Sequence, residues 1–138
     1  MCIADEMDLP EIDKKTIDVA GSLMSLGKIF IPLDTLGRGG EDLAPDELEA
    51  VANSHLVSAE LLKDVPFDGQ VVETIRQIGE TWDGQGPLGL SAEDILLTAR
   101  VVAVANMFVR RVSARAYREG MTFDEITDAL LADAGKQF

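Results

Sequence analysis

Apolar residues recur along the chain at three- and four-residue spacing, the period of an amphipathic helix, and no convincing run alternates with the two-residue period of a strand. The pattern predicts an all-α chain of about five helices. Ile12, Thr16, Val19, Ala20 and Leu23 line one face of the first. Asp8 and Glu11 have capping-box spacing, Pro10 falls in the first turn, and Gly27 is the expected terminator. Pro32, Gly37, Gly39 and Gly40 mark 29–43 as a loop. A second helix starts near Pro45, with Leu48, Val51, Ala52, His55, Ala59 and Leu62 on one buried stripe. A turn at 64–67 leads to a third, capped by Asp68 and carrying Val71, Val72, Ile75 and Ile78. Four glycines and Pro87 make 79–89 a structured loop. Ser91 and Asp94 can cap the next turn, and a long, mostly buried helix runs on to about Val112. Thr122 and Glu125 form a capping box for a last helix ending at Gly135.

Length and charge narrow the function classes. The chain has 138 residues, suited to one domain over 1–138, and 46% of them are hydrophobic, enough for a packed core. The formal net charge of −13 repels phosphate backbones, so a broad nucleic-acid interface is not expected. A small phosphate ligand held by a few local cations remains compatible with that balance. Cys2 is the single cysteine, which excludes an internal disulfide and fits a reducing cytoplasm. The acidic stretch Met1 to Asp8 is not a signal peptide. The longest apolar run, 95–109, is interrupted by Thr98, Arg100 and Asn106 and is too short and polar for membrane insertion.

Five segments then carry a resemblance. They are Leu23-Met24-Ser25-Leu26-Gly27-Lys28-Ile29-Phe30-Ile31-Pro32; His55, ten residues after Pro45; Glu80-Thr81-Trp82-Asp83-Gly84-Gln85-Gly86-Pro87; Ala99 to Asn106; and Ser113-Ala114-Arg115-Ala116-Tyr117. In order and spacing they resemble the bacterial HD-GYP domain, the helical cyclic-di-GMP phosphodiesterase of the HD superfamily. The resemblance covers nearly the whole chain and implies an HD-superfamily bundle, with the family's first helix expected upstream of Met1 and the chain a fragment of a longer signalling protein or an abbreviated domain.

The family's hydrolysis uses clustered iron or manganese ions held by converging imidazoles and carboxylates, which position a hydroxide for attack on a phosphodiester. At the matched positions this chain has Met24-Ser25 for the family's His-Asp, Ile78-Gly79 for its His-His, and Asn106 for its Asp; the Tyr between Gly86 and Pro87 is missing. Of the matched ligands only His55 keeps its chemistry. The resemblance therefore implies no catalytic residues, no bound metal and no cofactor.

Individual residues carry alternative readings. His55 reads as a core histidine with one satisfied hydrogen bond, against a relic ligand or pocket donor. Lys28 reads as a surface lysine near a helix end or as a phosphate contact. Arg115 and Tyr117 would pair and pack, or grip a nucleotide through guanidinium–phosphate contacts and base stacking. Glu80, Trp82 and Asp83 read as loop-shaping residues, with the Trp82 ring buried and Asp83 capping amides in the turn. Arg110, Arg111, Arg115 and Arg118 form a basic cluster, a solvated helix end or a docking patch for an acidic partner. Gly37-Arg38-Gly39-Gly40 lacks the context of a phosphate loop. The expectation is a catalytically inactive cytoplasmic signalling module, working through a protein partner such as a diguanylate cyclase-type domain or through a homodimer. A cyclic-di-GMP receptor without hydrolysis and a residual metal-dependent phosphodiesterase are the alternatives.

Overall fold

The computed structural model describes residues 2–38, 42–112 and 122–138. Among them there are eight α-helices and no strand: α1 (Cys2–Glu6), α2 (Glu11–Leu23), α3 (Leu33–Gly37), α4 (Pro45–Ala52), α5 (Ser54–Leu62), α6 (Val71–Gln77), α7 (Leu97–Val112) and α8 (Phe123–Ala132). Short 3-10 turns lie at Leu26–Phe30 and Ala92–Asp94. The all-α expectation holds. The helix number exceeds about five because α1 and α3 form inside segments read as non-helical, and the helix expected from Pro45 is two helices hinged at Asn53.

The hydrophobic stripes meet in two joined clusters. Ala20 of α2, Ala59 and Leu62 of α5, and Val71 and Ile75 of α6 make one. Ala4 of α1, Ile17 of α2, and Val101 and Val102 of α7 make the other. Met24, just past α2, packs against both. Accordingly, α2 lies against α6 and α7, and α5 against α6. Small residues at the contacts (Ala20, Ala59, Ala99, all fully buried) let these helices approach closely.

Several local expectations are corrected. Asp8 does not cap α2. It sits at φ 51° and ends α1, its N–H bonded to the Asp5 carbonyl and that of Leu9 to the Ala4 carbonyl, the paired bonds of a Schellman stop. Pro10 takes the N-cap of α2 and supplies no donor that would need one. Gly27 does not terminate α2, which ends at Leu23; it is buried in the 3-10 turn. The segment 29–43 is not all loop, because Pro32 starts α3. α4 buries none of its residues and Leu48 is exposed, so the stripe predicted from Pro45 is buried only from Ser54 onward. Gln70, not Asp68, precedes α6, without a side-chain cap. Ser91 precedes the 3-10 turn 92–94 and its hydroxyl caps nothing. The last helix ends at Ala132, three residues before Gly135, which is at φ +79° in the turn that follows.

Other signals are realised. Thr122 Oγ1 accepts the Glu125 N–H at 3.4 Å while the Glu125 carboxylate accepts the Thr122 N–H at 2.8 Å, a reciprocal capping box. That bonding holds the Glu125 carboxyl below its usual range. α7 runs to Val112 and buries Thr98, Ala99, Val101, Val102 and Met107. No described helix is long and apolar enough to cross a membrane.

Candidate functional site

The site begins with a serine. Ser58 of α5 is fully buried, and its hydroxyl accepts the Gly27 N–H at 2.7 Å and donates to the Met24 carbonyl at 2.7 Å. One side chain thus binds two backbone groups of the segment after α2. A Cβ on Gly27 would overlap the Ser54 carbonyl and sit 2.8 Å from the Val57 Cβ, so only glycine permits this approach. The clamp sets Met24 against the core and leaves Ser25 and Lys28 exposed at a cleft edge.

His55, one turn before Ser58, is 6% exposed. Its Nδ1 lies 3.1 Å from the Ala52 carbonyl, which can only accept, so Nδ1 carries a proton and donates. Nε2 is then the acceptor of the neutral ring, and it is buried without a hydrogen-bond partner among the described residues. Burial pushes the imidazole below its ordinary pKa of 6.5, against the smaller opposing effects of the Ala52 carbonyl and of Glu80. The Cε1–Nε2 edge faces Gly79: a Cβ there would fall 2.6 Å from Nε2. No side chain fits at position 79 while His55 keeps this orientation.

Beyond Gly79 the loop is organised by Glu80, which is 5% exposed. Its Oε1 accepts the Leu88 N–H at 2.8 Å and its Oε2 the Leu90 N–H at 3.0 Å. Gly86 packs against it so closely that a Cβ would lie 2.6 Å from the Glu80 Cα. Asp83 Oδ1 accepts the Thr81 hydroxyl at 2.6 Å and the Gln85 N–H at 3.3 Å, as its turn position predicts. Trp82 is half-buried rather than fully buried, with the Arg100 guanidinium 5.3 Å from its ring centroid. At the far end of the loop, Gln77 Oε1 accepts the Leu96 N–H at 2.8 Å and thereby fixes the entry to α7.

Two adjoining clefts, each of about 320 Å³, open among these elements. His55, Ala52, Ile78, Asn106 and Arg110 border both. One extends along α7 to Arg111 and the other along the 3-10 turn to Lys28 and Arg38. The space between Met24, His55, Ile78 and Asn106 is therefore open rather than filled, although Met24 and Ile78 also rest on the core. The lining is cationic in a molecule of net charge −13. Lys28, Arg38, Arg110 and Arg111 border the clefts, and Glu80, whose two oxygens hold backbone amides, is the carboxylate among the described lining side chains; Arg38 is itself paired with Glu47, and Arg111 lies near Asp133.

In the sequence Arg38 stands among glycines that match no phosphate loop and give no signal of a site. In the fold it joins α3 to α4 by a two-oxygen pair with Glu47 at 2.9 and 3.0 Å, and its Nε–H is buried without a hydrogen-bond partner among the described residues. Arg111 has Asp133 at 4.0 Å, at the foot of α8. Lys28, His55 and the matched positions Met24, Ser25, Ile78, Gly79 and Asn106 all fall on these clefts. Arg115, Tyr117 and Arg118 lie outside the described residues. Among the described residues, no three His, Cys, Asp or Glu side chains are grouped so as to hold a metal ion.

Comparison with known proteins agrees with this architecture. The HD domain family matches residues 1–138. The cyclic di-GMP phosphodiesterase response regulator RpfG of Xanthomonas campestris pv. campestris is 34% identical over 99% of this chain and 36% of its own length. The cyclic di-GMP phosphodiesterase of Thermotoga maritima is 31% identical over 99% of this chain and 38% of its own. The chain thus spans little more than a third of these relatives. In fold, it superposes on Bd1817, an HDG"Y"P protein from Bdellovibrio bacteriovorus, with a TM-score of 0.75 at 24% identity, over 98% of this chain and 44% of that one. The chain belongs to the HD domain family, on its HD-GYP-like side.

Proposed function

We propose that this protein is a non-hydrolysing HD-GYP-like signalling module, which senses or relays a state to a protein partner or to a second copy of itself. The donor set carries the reading. Hydrolysis by the relatives' chemistry needs metal ions held by several imidazoles and carboxylates. Here the matched positions offer a thioether (Met24), a hydroxyl (Ser25), an alkyl group (Ile78), no side chain (Gly79) and a neutral amide (Asn106). His55 alone keeps a ligand's chemistry, and its Nε2 abuts Gly79 where a second donor would have to stand. These residues do not fit a clustered iron or manganese site.

A second reading, a receptor that holds a cyclic dinucleotide without cleaving it, is supported by the cationic lining of the open clefts. Elemental analysis of the purified protein, together with a cyclic di-GMP hydrolysis assay with added manganese or iron, tests both against a residual phosphodiesterase. The expected outcome is metal far below one equivalent and no turnover. Stoichiometric iron or manganese, with turnover abolished by His55→Ala, would overturn the proposal.

A further inference from the structure

We propose that the outer face of the 3-10 turn at Leu26–Phe30 and of α5 is the contact through which two copies of this chain associate. This names the partner that the non-hydrolysing signalling reading leaves open, and it rests on that reading for its purpose. Six large apolar side chains stand exposed there: Leu26, Ile29 and Phe30 in the turn, Leu33 at the start of α3, and Val57 and Leu61 on α5. Leu33 is 88% exposed, Ile29 69% and Phe30 66%, far from the burial such side chains ordinarily reach. Local geometry gathers them. Residues three apart eclipse one another in a 3-10 turn, so Leu26 and Ile29 share a side distinct from that of Ser25 and Lys28, which border the cleft. Phe30 follows the line of Gly27, and Gly27 approaches α5 at Val57. Val57 and Leu61 are four apart on α5 and so neighbours on its surface. None of the six borders either cleft.

Size and charge select a second copy as the occupant. The six residues leave on the order of 600 Å² open to water, the upper end of the roughly 300–600 Å² that the largest patch on a typical monomer reaches. A standard interface buries about 800 Å² on each partner, so this patch with a polar rim meets what a stable dimer needs. The charged residues interleaved with the patch are of both signs: Lys28 and Asp34 within 26–34, Glu60 and Lys63 within 57–63. A rim of one sign would call for a partner of the other. This balanced rim is complementary to itself, because a two-fold rotation can set the cations of one copy against the carboxylates of the other. The net charge of −13 therefore lies on the rest of the molecule, where it opposes the approach of a second copy. Salt screens that repulsion and leaves the apolar contact intact, so association through this face strengthens as salt is added.

The test is sedimentation equilibrium of the full chain. The wild type is expected to be a dimer with a dissociation constant of about 10 μM or lower. That constant should be severalfold lower in about 0.5 M salt than in about 0.05 M. The double variant Phe30→Glu with Leu33→Glu should be a monomer with an unchanged circular dichroism spectrum, since both side chains are exposed. Phe30→Lys with Leu33→Lys should behave in the same way. Mixing the two variants should restore a dimer, because the same face meets itself. If the paired variants fail to fold, Leu61→Glu on α5 carries the test of dissociation alone. A wild-type monomer at about 100 μM would overturn the proposal and leave the face to a different protein. So would a dimer that the charge variants leave intact, variants that fail to recombine, or association that weakens with salt. Each of these leaves the non-hydrolysing reading standing. Turnover of cyclic di-GMP by the wild-type dimer would instead overturn that reading and not the contact.

Discussion

At the scale of single residues, Glu80 and His55 give the site its character, and each acts through atoms that a linear motif does not display. Glu80 holds the amides of Leu88 and Leu90 from a buried position. Glu80→Ala leaves both N–H groups without their acceptor and should cost about 1.5–3 kcal/mol or more in urea unfolding, since hydrogen bonds to charged groups are the stronger ones. Trp82, the single tryptophan, reports on the same loop, and its emission should shift to the red in that variant. For His55 the pH dependence has a definite sign. The folded pKa lies below the ordinary 6.5 because burial opposes the charge. Between the two pKa values the unfolded chain binds more protons, so stability rises with pH in that window. Above 6.5 the ring is neutral in both states and contributes no pH dependence. The melting temperature should therefore fall as pH drops below about 6.5, and the fall should be shallower in His55→Gln; the same slope in both proteins would place its origin in other groups.

At the scale of elements, what matters is how the segment after α2 is fixed to α5. Gly27 was read in the sequence as a helix terminator, the commonest reason for a glycine at the end of an apolar stripe. Its actual reason is contact: the Ser54 carbonyl leaves no room for a Cβ, and the Ser58 hydroxyl takes its N–H. Ser58→Ala would strand the buried Gly27 N–H and remove the donor to the Met24 carbonyl. A loss of about 1–3 kcal/mol in denaturant unfolding is expected, with helix content unchanged by circular dichroism. Helix starts were legible where the cap is reciprocal and local, as at Thr122 and Glu125. They were misread where another device serves. Asp8 has the residue type and spacing of a cap, yet the Schellman bonds of α1 place it in the left-handed region and give the N-cap to Pro10. The break at Asn53 was not legible either, because the apolar spacing of 48–62 runs across it without a glycine or proline.

At the scale of the whole molecule, the acidic surface and the basic clefts are two different properties, and net charge describes only the first. Lys28 and Arg38 come from one third of the chain and Arg110 and Arg111 from another, so their approach to a common space depends on how α2, α5, α6 and α7 pack. The sequence by itself determined the all-α class, the long buried helix α7, the loop between α6 and α7, and the residue types Met24, Ser25, Ile78, Gly79 and Asn106, none of which is an imidazole or a carboxylate. Those are matters of residue type and short-range period, and both are written along the chain. Only the tertiary structure decided that the space among those positions is open, that Arg38 borders it, and that His55 Nε2 lies buried beside Gly79 without a hydrogen-bond partner among the described residues. Such facts depend on distances between atoms far apart in the chain, and the packing of the helices sets those distances.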